Sequence, residues 1–330
     1  MKIGMVLDPY GEAQPSGLGR AIFEMAKAIA AQGADSYITC LKRTHGYSWL
    51  RRGSLDPALD LYIFFTPVIP YFFKPKKSIV VAHDFAYLET PGVRALLLKH
   101  LHSRSLRKAT AIAAVSEQTK REIVRLFRIA ERKITVVPIA SVPLPAPQAL
   151  QAPEHFFLFA GVLKERKNVL GIIRAFAEFA PAHPDFSLLL AGKKQGAYYE
   201  QALKLAEELG LKERARFLGY VTDGELAYLY TKAEALVFPS FIEGFGMPVL
   251  EAFALGLPVI TSKAGALAEV AGDAALLVDP HDPHDIARAM ARLAADRGLR
   301  RAYGAKGFER AKAFSWDKTG RDFRALIASI

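Results

Sequence analysis

Residues 240–251 read Ser-Phe-Ile-Glu-Gly-Phe-Gly-Met-Pro-Val-Leu-Glu, and this stretch decides how the rest of the chain is read. Glu243 and Glu251 are separated by seven residues, with Gly244 and Gly246 between them and Pro248 near a helix start. Glycines there leave backbone N–H groups open at the positive end of a helix, where a phosphate or oxyanion binds. A carboxylate accepts two hydrogen bonds from a vicinal diol, as on ribose or a hexose. Glu251 falls about two turns along the helix line from the loop, so one carboxylate can face a sugar and the other a ribose. Apolar runs at 235–238 and 258–261 flank the stretch, giving strand, loop, helix, strand.

That rhythm extends in both directions. In the second half, strand candidates at 155–160, 186–191, 215–218, 235–238, 258–261 and 275–278 alternate with helical segments at 168–180, 197–209, 225–231, 248–254 and 285–296. In the first half, candidates at 2–7, 36–41, 61–65, 78–82, 111–115 and 133–138 alternate with helices at 21–31, 94–107 and 117–127. Strands alternating with helices predict parallel sheets covered on both faces. Pro143, Pro145, Pro147 and Pro153 interrupt the pattern; proline fixes φ and removes a donor, so an extended linker divides two doubly wound α/β domains. The predicted boundaries are 1–148 and 149–313, with 314–330 a final amphipathic helix anchored by Trp316.

With 330 residues, 51% of them hydrophobic, the chain has enough apolar material for two ordinary cores. Its single cysteine, Cys40, reads as a buried strand residue and points to a reducing, cytoplasmic setting. The most apolar window, 61–73, is shorter than a spanning helix and contains two prolines, so no transmembrane segment is expected. Charge is uneven: residues 1–150 hold 21 Lys/Arg against 11 Asp/Glu, and 151–330 hold 23 against 22. The basic first half predicts an anionic partner, and Arg94, Lys99, Arg104, Arg107 and Lys108 near the aromatic segment 62–73 suggest an anionic membrane surface.

Other residues at predicted strand ends extend the candidate site, since open α/β sheets bind ligands there. Gly17 and Gly19 follow the first strand, but Ile22 occupies the third glycine position of a dinucleotide fingerprint. No phosphate-binding G-x-x-x-x-G-K-[ST] occurs, so dehydrogenase and ATPase readings are disfavoured. His83 ends the strand 78–82, where an imidazole can bond a sugar hydroxyl. Arg166 and Lys167 follow the strand 155–160 and precede a helix, a planar fork and a point charge suited to a diphosphate. The metal-like run Asp279-Pro-His281-Asp282-Pro-His284-Asp285 reads instead as a helix start, with Asp282 as N-cap, Pro283 at the first position and Asp285 closing a short capping box.

These residues resemble one family. The stretch 240–252 is similar to the E-x7-E signature of the retaining group 1 (family 4) glycosyltransferases, and Val80-Val-Ala-His-Asp, Ala114-Val-Ser-Glu, Ile134-Thr-Val-Val-Pro, Arg166-Lys-Asn, Phe217-Leu-Gly-Tyr-Val and Phe314-Ser-Trp resemble family landmarks in the family's order. Val162 stands where many members carry Arg, and Ile139-Ala140 where Asn-Gly is common.

The resemblance implies a GT-B fold, with two Rossmann-like domains facing a cleft and the last helix crossing back to the first. It implies that Arg166 and Lys167 hold the donor diphosphate, Glu243 the transferred sugar and Glu251 the ribose. Gly244, Phe245, Gly246 and Met247 would supply backbone donors, the backbone at Tyr220 and Val221 would meet the base, His83 would lie by the sugar, and Gly17 and Gly19 would border phosphate and acceptor. The expected activity is metal-independent hexosyl transfer with retention, with no cofactor beyond a GDP- or UDP-linked donor. The Arg-Lys-Asn variant resembles several mannosyl-transferring relatives and favours GDP-mannose as donor; the expected acceptor is glycan or lipid-linked, in polysaccharide or glycolipid synthesis at the inner face of the membrane. Alternatives are a UDP-sugar enzyme with a soluble acceptor, or another GT-B enzyme such as a phosphorylase or epimerase. A basic nucleic-acid-binding protein would leave the two-glutamate loop unexplained, so no nucleic-acid partner is expected.

Overall fold

A strand buried on both faces reads as a near-continuous apolar run, and Leu61–Phe64, Ser78–Ala82, Ala111–Ala114, Phe186–Ala191, Ala235–Phe238 and Val259–Ser262 are each buried along their whole length. The computed structural model describes residues 1–7, 17–33, 35–40, 48–49, 55–67, 74–88, 92–194 and 196–330, with backbone alone at 35–40, 48–49 and 87. Cys40 lies on a described strand, but its side chain is outside the described residues. The chain divides into two units, one comprising Met1–Val142 with Phe314–Ile330, the other Pro143–Ala313.

Among the described residues, the first unit is built on β1 (Lys2–Leu7), β2 (Asp35–Cys40), β3 (Ser48–Trp49), β4 (Leu61–Phe64), β5 (Ser78–Ala82), β6 (Ala111–Ala114) and β7 (Ile134–Val136), in the order β3-β2-β1-β4-β5-β6-β7. Every pairing is parallel, with Met5 opposite Ile63 and Val80 opposite Ile112. Order reverses at β1, the signature of a doubly wound sheet. Its helices are α1 (Gly17–Ala30), α2 (Val93–Lys108) and α3 (Glu117–Phe127). Ser116 caps α3, its Oγ accepting from Thr119 N at 3.0 Å. Within the aromatic segment, Tyr62, Phe64 and Phe65 are buried because they belong to β4 and its exit, and 68–73 lie outside the described residues.

The second unit holds β8 (His155–Ala160), β9 (Phe186–Ala191), β10 (Ala215–Gly219), β11 (Ala235–Phe238), β12 (Val259–Ser262) and β13 (Leu276–Val278), all parallel, in the order β10-β9-β8-β11-β12-β13. Its helices are α4 (Val169–Phe179), α5 (Ala197–Glu208), α6 (Asp223–Lys232), α7 (Met247–Ala254), α8 (Gly265–Ala271), α9 (Pro283–Ala295) and α10 (Arg297–Ala311). Phe157, Phe179 and Phe186 pack mutually edge-on or tilted beneath α4, at centroid distances of 5.2–5.4 Å. Sheet order reverses between β8 and β11, so the loops leaving these neighbouring strands meet at a topological switch point.

The first unit ends at Val142, short of the expected boundary at 148, because the linker is already tied to the second unit: Gln148 N–H donates to the Gly224 carbonyl at 2.9 Å. The chain returns to the first unit as α11 (Trp316–Ala328). Trp316 Nε1–H donates to Ser141 O at 3.0 Å, and Thr319 Oγ1 donates to Pro138 O at 2.7 Å. Gly320 brings α11 against α1: a Cβ there would lie 2.5 Å from the Ala28 carbonyl oxygen.

Candidate functional site

In the loop after β8, residues Glu165–Lys167 form a short 3-10 turn, and Asn168 follows in the left-handed region at φ 58°, which asparagine tolerates. The Asn168 side chain leaves the helix it precedes and crosses to other loops. Its Nδ2 donates to Pro239 O at 3.2 Å and to Pro280 O at 2.6 Å. One buried amide therefore fastens the exits of β8, β11 and β13 together.

That arrangement places two cations against one carboxylate. Phe241 N–H donates to Arg166 O at 2.8 Å, and the Arg166 guanidinium donates to Ile242 O and to Glu243 Oε2, both at 3.1 Å. The Lys167 ammonium pairs with the other carboxylate oxygen, Glu243 Oε1. It also stands 4.6 Å from the centroid of Phe238, the last residue of β11. Lys167 and Glu243 are nearly enclosed, with side chains 11% and 8% exposed. In such surroundings an ion pair is screened less than at the surface.

Beyond Glu243 the chain passes through buried Gly244, Phe245 and Gly246 into α7. Gly246 has φ 122°, a backbone region that favours glycine, and it turns the chain into α7, its carbonyl accepting from Val249 N at 3.0 Å. Met247 and Pro248 begin the helix, as the sequence predicts within one residue. Glu251, one turn further, accepts a hydrogen bond from Tyr230 Oη at 3.0 Å. Tyr230 is almost fully buried at the end of α6, so its hydroxyl fixes the carboxylate from inside. Tyr220 and Val221 follow β10, and the Tyr220 side chain is 55% exposed.

Sequence reasoning missed Tyr230, the bridging role of Asn168 and the ring of Phe238 beneath Lys167. A tyrosine in the apolar run 226–230 signals a buried hydroxyl in need of a partner. Which partner it finds depends on α6 meeting α7, which is not local information.

The remaining candidates lie in the first unit. His83 follows β5, half-buried; its Nε2–H donates to Phe65 O at 3.1 Å, and its own carbonyl accepts from Thr119 Oγ1 at 3.1 Å. Desolvation lowers the imidazole pKa to about 4, outweighing Asp84 and the Phe65 carbonyl, so the ring is neutral at pH 7 with Nδ1 as its acceptor. Gly17 and Gly19 form the first turn of α1, and residues 8–16 lie outside the described residues.

The metal-like run is a helix start. Asp282 caps α9, accepting from His284 N at 3.0 Å, with Pro283 at the first position. Asp285 does not close a capping box: its Oδ2 accepts from Asp279 N at 2.8 Å, because the preceding turn brings that N–H nearer. His281 stacks on Phe241 at 4.7 Å, and His284 meets Glu178 at 3.1 Å. Among the described residues, no group of three or more His, Cys, Asp or Glu could hold a metal ion.

Residues 144–310 match the family described as Glycosyl transferases group 1. Over 270 residues the chain is 33% identical to the O-antigen chain mannosyltransferase B of Escherichia coli, covering 75% of this chain and 70% of that one. It is 30% identical over 276 residues to the serotype-specific mannosyltransferase WbdA of Escherichia coli, of whose length it spans only 34%. Among solved structures, the sucrose-phosphate synthase from Thermosynechococcus elongatus superposes with a TM-score of 0.81 over 100% of both chains, at 22% identity. At that identity the likeness concerns fold, the GT-B class of two parallel-sheet α/β domains.

Proposed function

This chain belongs to the group 1 glycosyl transferases, and on that premise we propose that it transfers a hexose from a nucleotide-sugar to a glycan or lipid-linked acceptor, with retention at the anomeric carbon. The observation that carries the proposal is the Arg166–Lys167–Glu243 cluster at the β8/β11 switch point. Two cations held by a carboxylate, beside the opening turn of α7, form a receptor for a diphosphate joined to a polyhydroxyl group. Glu251, steadied by Tyr230, takes the ribose diol. Tyr220 and Val221 take the base; in the first unit, His83 Nδ1 is an acceptor suited to a hydroxyl. GDP-mannose is the favoured donor, supported by relatives that are named mannosyltransferases.

In the proposed step the bond between the anomeric carbon and the leaving phosphate oxygen breaks. The acceptor hydroxyl oxygen bonds to the same face of that carbon, and its proton passes to the departing diphosphate. Arg166, Lys167 and the backbone N–H groups of 244–247 stabilise the charge developing there, an oxyanion-hole role that requires no metal.

Calorimetric titration of the protein with GDP, UDP and ADP, followed by NMR of the product made from the preferred sugar nucleotide, tests the reading. Binding of GDP and an α-linked product from an α-linked donor are expected. A preference for UDP removes mannose as the favoured sugar, an inverted product removes retention, and binding of none removes the donor site.

A further inference from the structure

In the second unit, the exits of β9 and β10 are joined through two glycines. Gly192 N–H donates to Gly219 O at 2.8 Å, and a Cβ on Gly192 would lie 2.1 Å from Gly161 O, at the exit of β8. Gly219 has φ 85°, where glycine is favoured, and its bare Cα is covered by the stem of Lys194. A Cβ there would meet Lys194 Cγ at 3.7 Å, Cδ at 3.6 Å and Cε at 3.4 Å, so the stem closes on Gly219 toward its charged end. The ammonium, one bond beyond Cε, is thereby carried from the β9 loop to the exit of β10, where Tyr220 and Val221 follow.

Among the described residues, Lys194 makes no hydrogen bond or ion pair. Residues 192–199 and 215–222 contain no Asp or Glu, so neither exit loop supplies a carboxylate to neutralise it. Arg166 and Lys167, by contrast, are both held on Glu243. The sheet order β10-β9-β8 puts the β10 exit two strand spacings, about 10 Å, from the exit that carries those two cations. That separation suits the base of a nucleotide whose diphosphate is held at Arg166 and Lys167; a third cation for the phosphates would have to stand nearer.

Given the donor site proposed for this unit, we infer that Lys194 selects the nucleobase, its ammonium donating to O6 and N7 on one edge of guanine. An ammonium offers three donors and no acceptor. Guanine presents O6 and N7 side by side, both acceptors, whereas adenine presents N7 beside an N6 amine that only donates, and uracil a single O4 on that edge. Lysine therefore gains most from guanine and is left facing an amine by adenine. Its stem already rests on Gly219, so less side-chain freedom is lost on binding than for a lysine free in solvent. Tyr220, next along the chain and 55% exposed, offers a phenol face against which a base can stack.

The test is calorimetric titration of the full chain, and of Lys194→Met, with GDP, IDP, ADP and UDP. Methionine keeps the length of the stem and removes the charge. IDP keeps O6 and N7 but lacks the 2-amino group of guanine. The unaltered protein should bind GDP and IDP about tenfold or more tightly than ADP, and Lys194→Met should abolish that margin by weakening GDP and IDP while leaving ADP unchanged. Lys193→Met removes an equal charge from the exposed neighbour and should change every affinity by about twofold or less. Both lysines are exposed, so neither variant should alter the melting temperature. Equal weakening of all four nucleotides by Lys194→Met would overturn the inference, because the charge would then serve the phosphates. So would tighter binding of UDP than of GDP, a Lys193→Met variant that behaves as Lys194→Met does, or a Lys194→Met variant that binds as the unaltered protein does. In each of these cases the nucleotides still bind and the donor site stands; binding of none of the four removes the donor site and the base selection together.

Discussion

Glu243→Gln separates two tasks proposed for one side chain. The carboxylate neutralises Arg166 at 3.1 Å and pairs with Lys167, the same cations proposed to hold a diphosphate. A phosphate approaching those cations from the open side would stand about 6 Å from the carboxylate. At an effective dielectric constant of about 40, their repulsion is about 1.4 kcal/mol per unit charge, or about tenfold in affinity. Glutamine keeps the shape and removes the charge. The variant should therefore bind a free nucleoside diphosphate about tenfold more tightly, with the gain shrinking as salt is added. Turnover of a nucleotide-sugar should fall about 10- to 100-fold, the usual value of hydrogen bonds to a charged group. Calorimetry with GDP and with UDP reads the first effect, and initial rates with the sugar nucleotide read the second. A variant that binds both nucleotides no more tightly than the unaltered protein would refute the reasoning, because Glu243 would then not compete with phosphate for those cations.

Three other outcomes follow from the same geometry. Tyr230→Phe removes the hydroxyl on Glu251 and should weaken nucleotide binding about tenfold, measured by calorimetry, with the fold intact by circular dichroism. Asn168→Ala deletes the amide joining Pro239 O and Pro280 O and should cost about 2–3 kcal/mol in urea unfolding while weakening diphosphate binding. His102, packed between Phe85 and Phe127, has its pKa lowered by burial to about 4 from 6.5. The unfolded chain binds the extra proton first, so stability present above pH 6.5 is lost on acidification, by about 2 kcal/mol at pH 5; His102→Phe should flatten that part of the profile in thermal melts at pH 7 and 5.

The strands were readable because each is a short apolar run bounded by turn residues: β8, β9 and β11 fall on residues 155–160, 186–191 and 235–238 as expected. Helix α10 was not. Its only buried residues are Gly304 and Gly307, and it packs by close approach: a Cβ at Gly304 would lie 2.3 Å from Gly256 O, and one at Gly307 2.5 Å from Phe253. A helix seated on its glycines has no apolar stripe for a periodicity argument to find. Helix α8, seven residues long, is too short to show a period. Within the site, the charged and glycine positions 166, 167, 243, 244 and 246 stood out because their residue types are unusual at strand ends. Asn168 and Tyr230 act through groups far away in sequence, 71 residues to Pro239 in one case and 21 to Glu251 in the other, so no local pattern could reveal them.

The return of α11 to the first unit bears on how the chain folds as it is made. The second unit is a single uninterrupted segment, Pro143–Ala313, and its sheet is complete before α11 leaves the ribosome. The first unit begins earlier and finishes later: the Ala28 carbonyl waits for Gly320, and Ser141 O for Trp316. The half synthesised first is thus the last to close, and during translation its apolar α1 surface must remain uncovered, or be sheltered by a chaperone, until the final helix arrives.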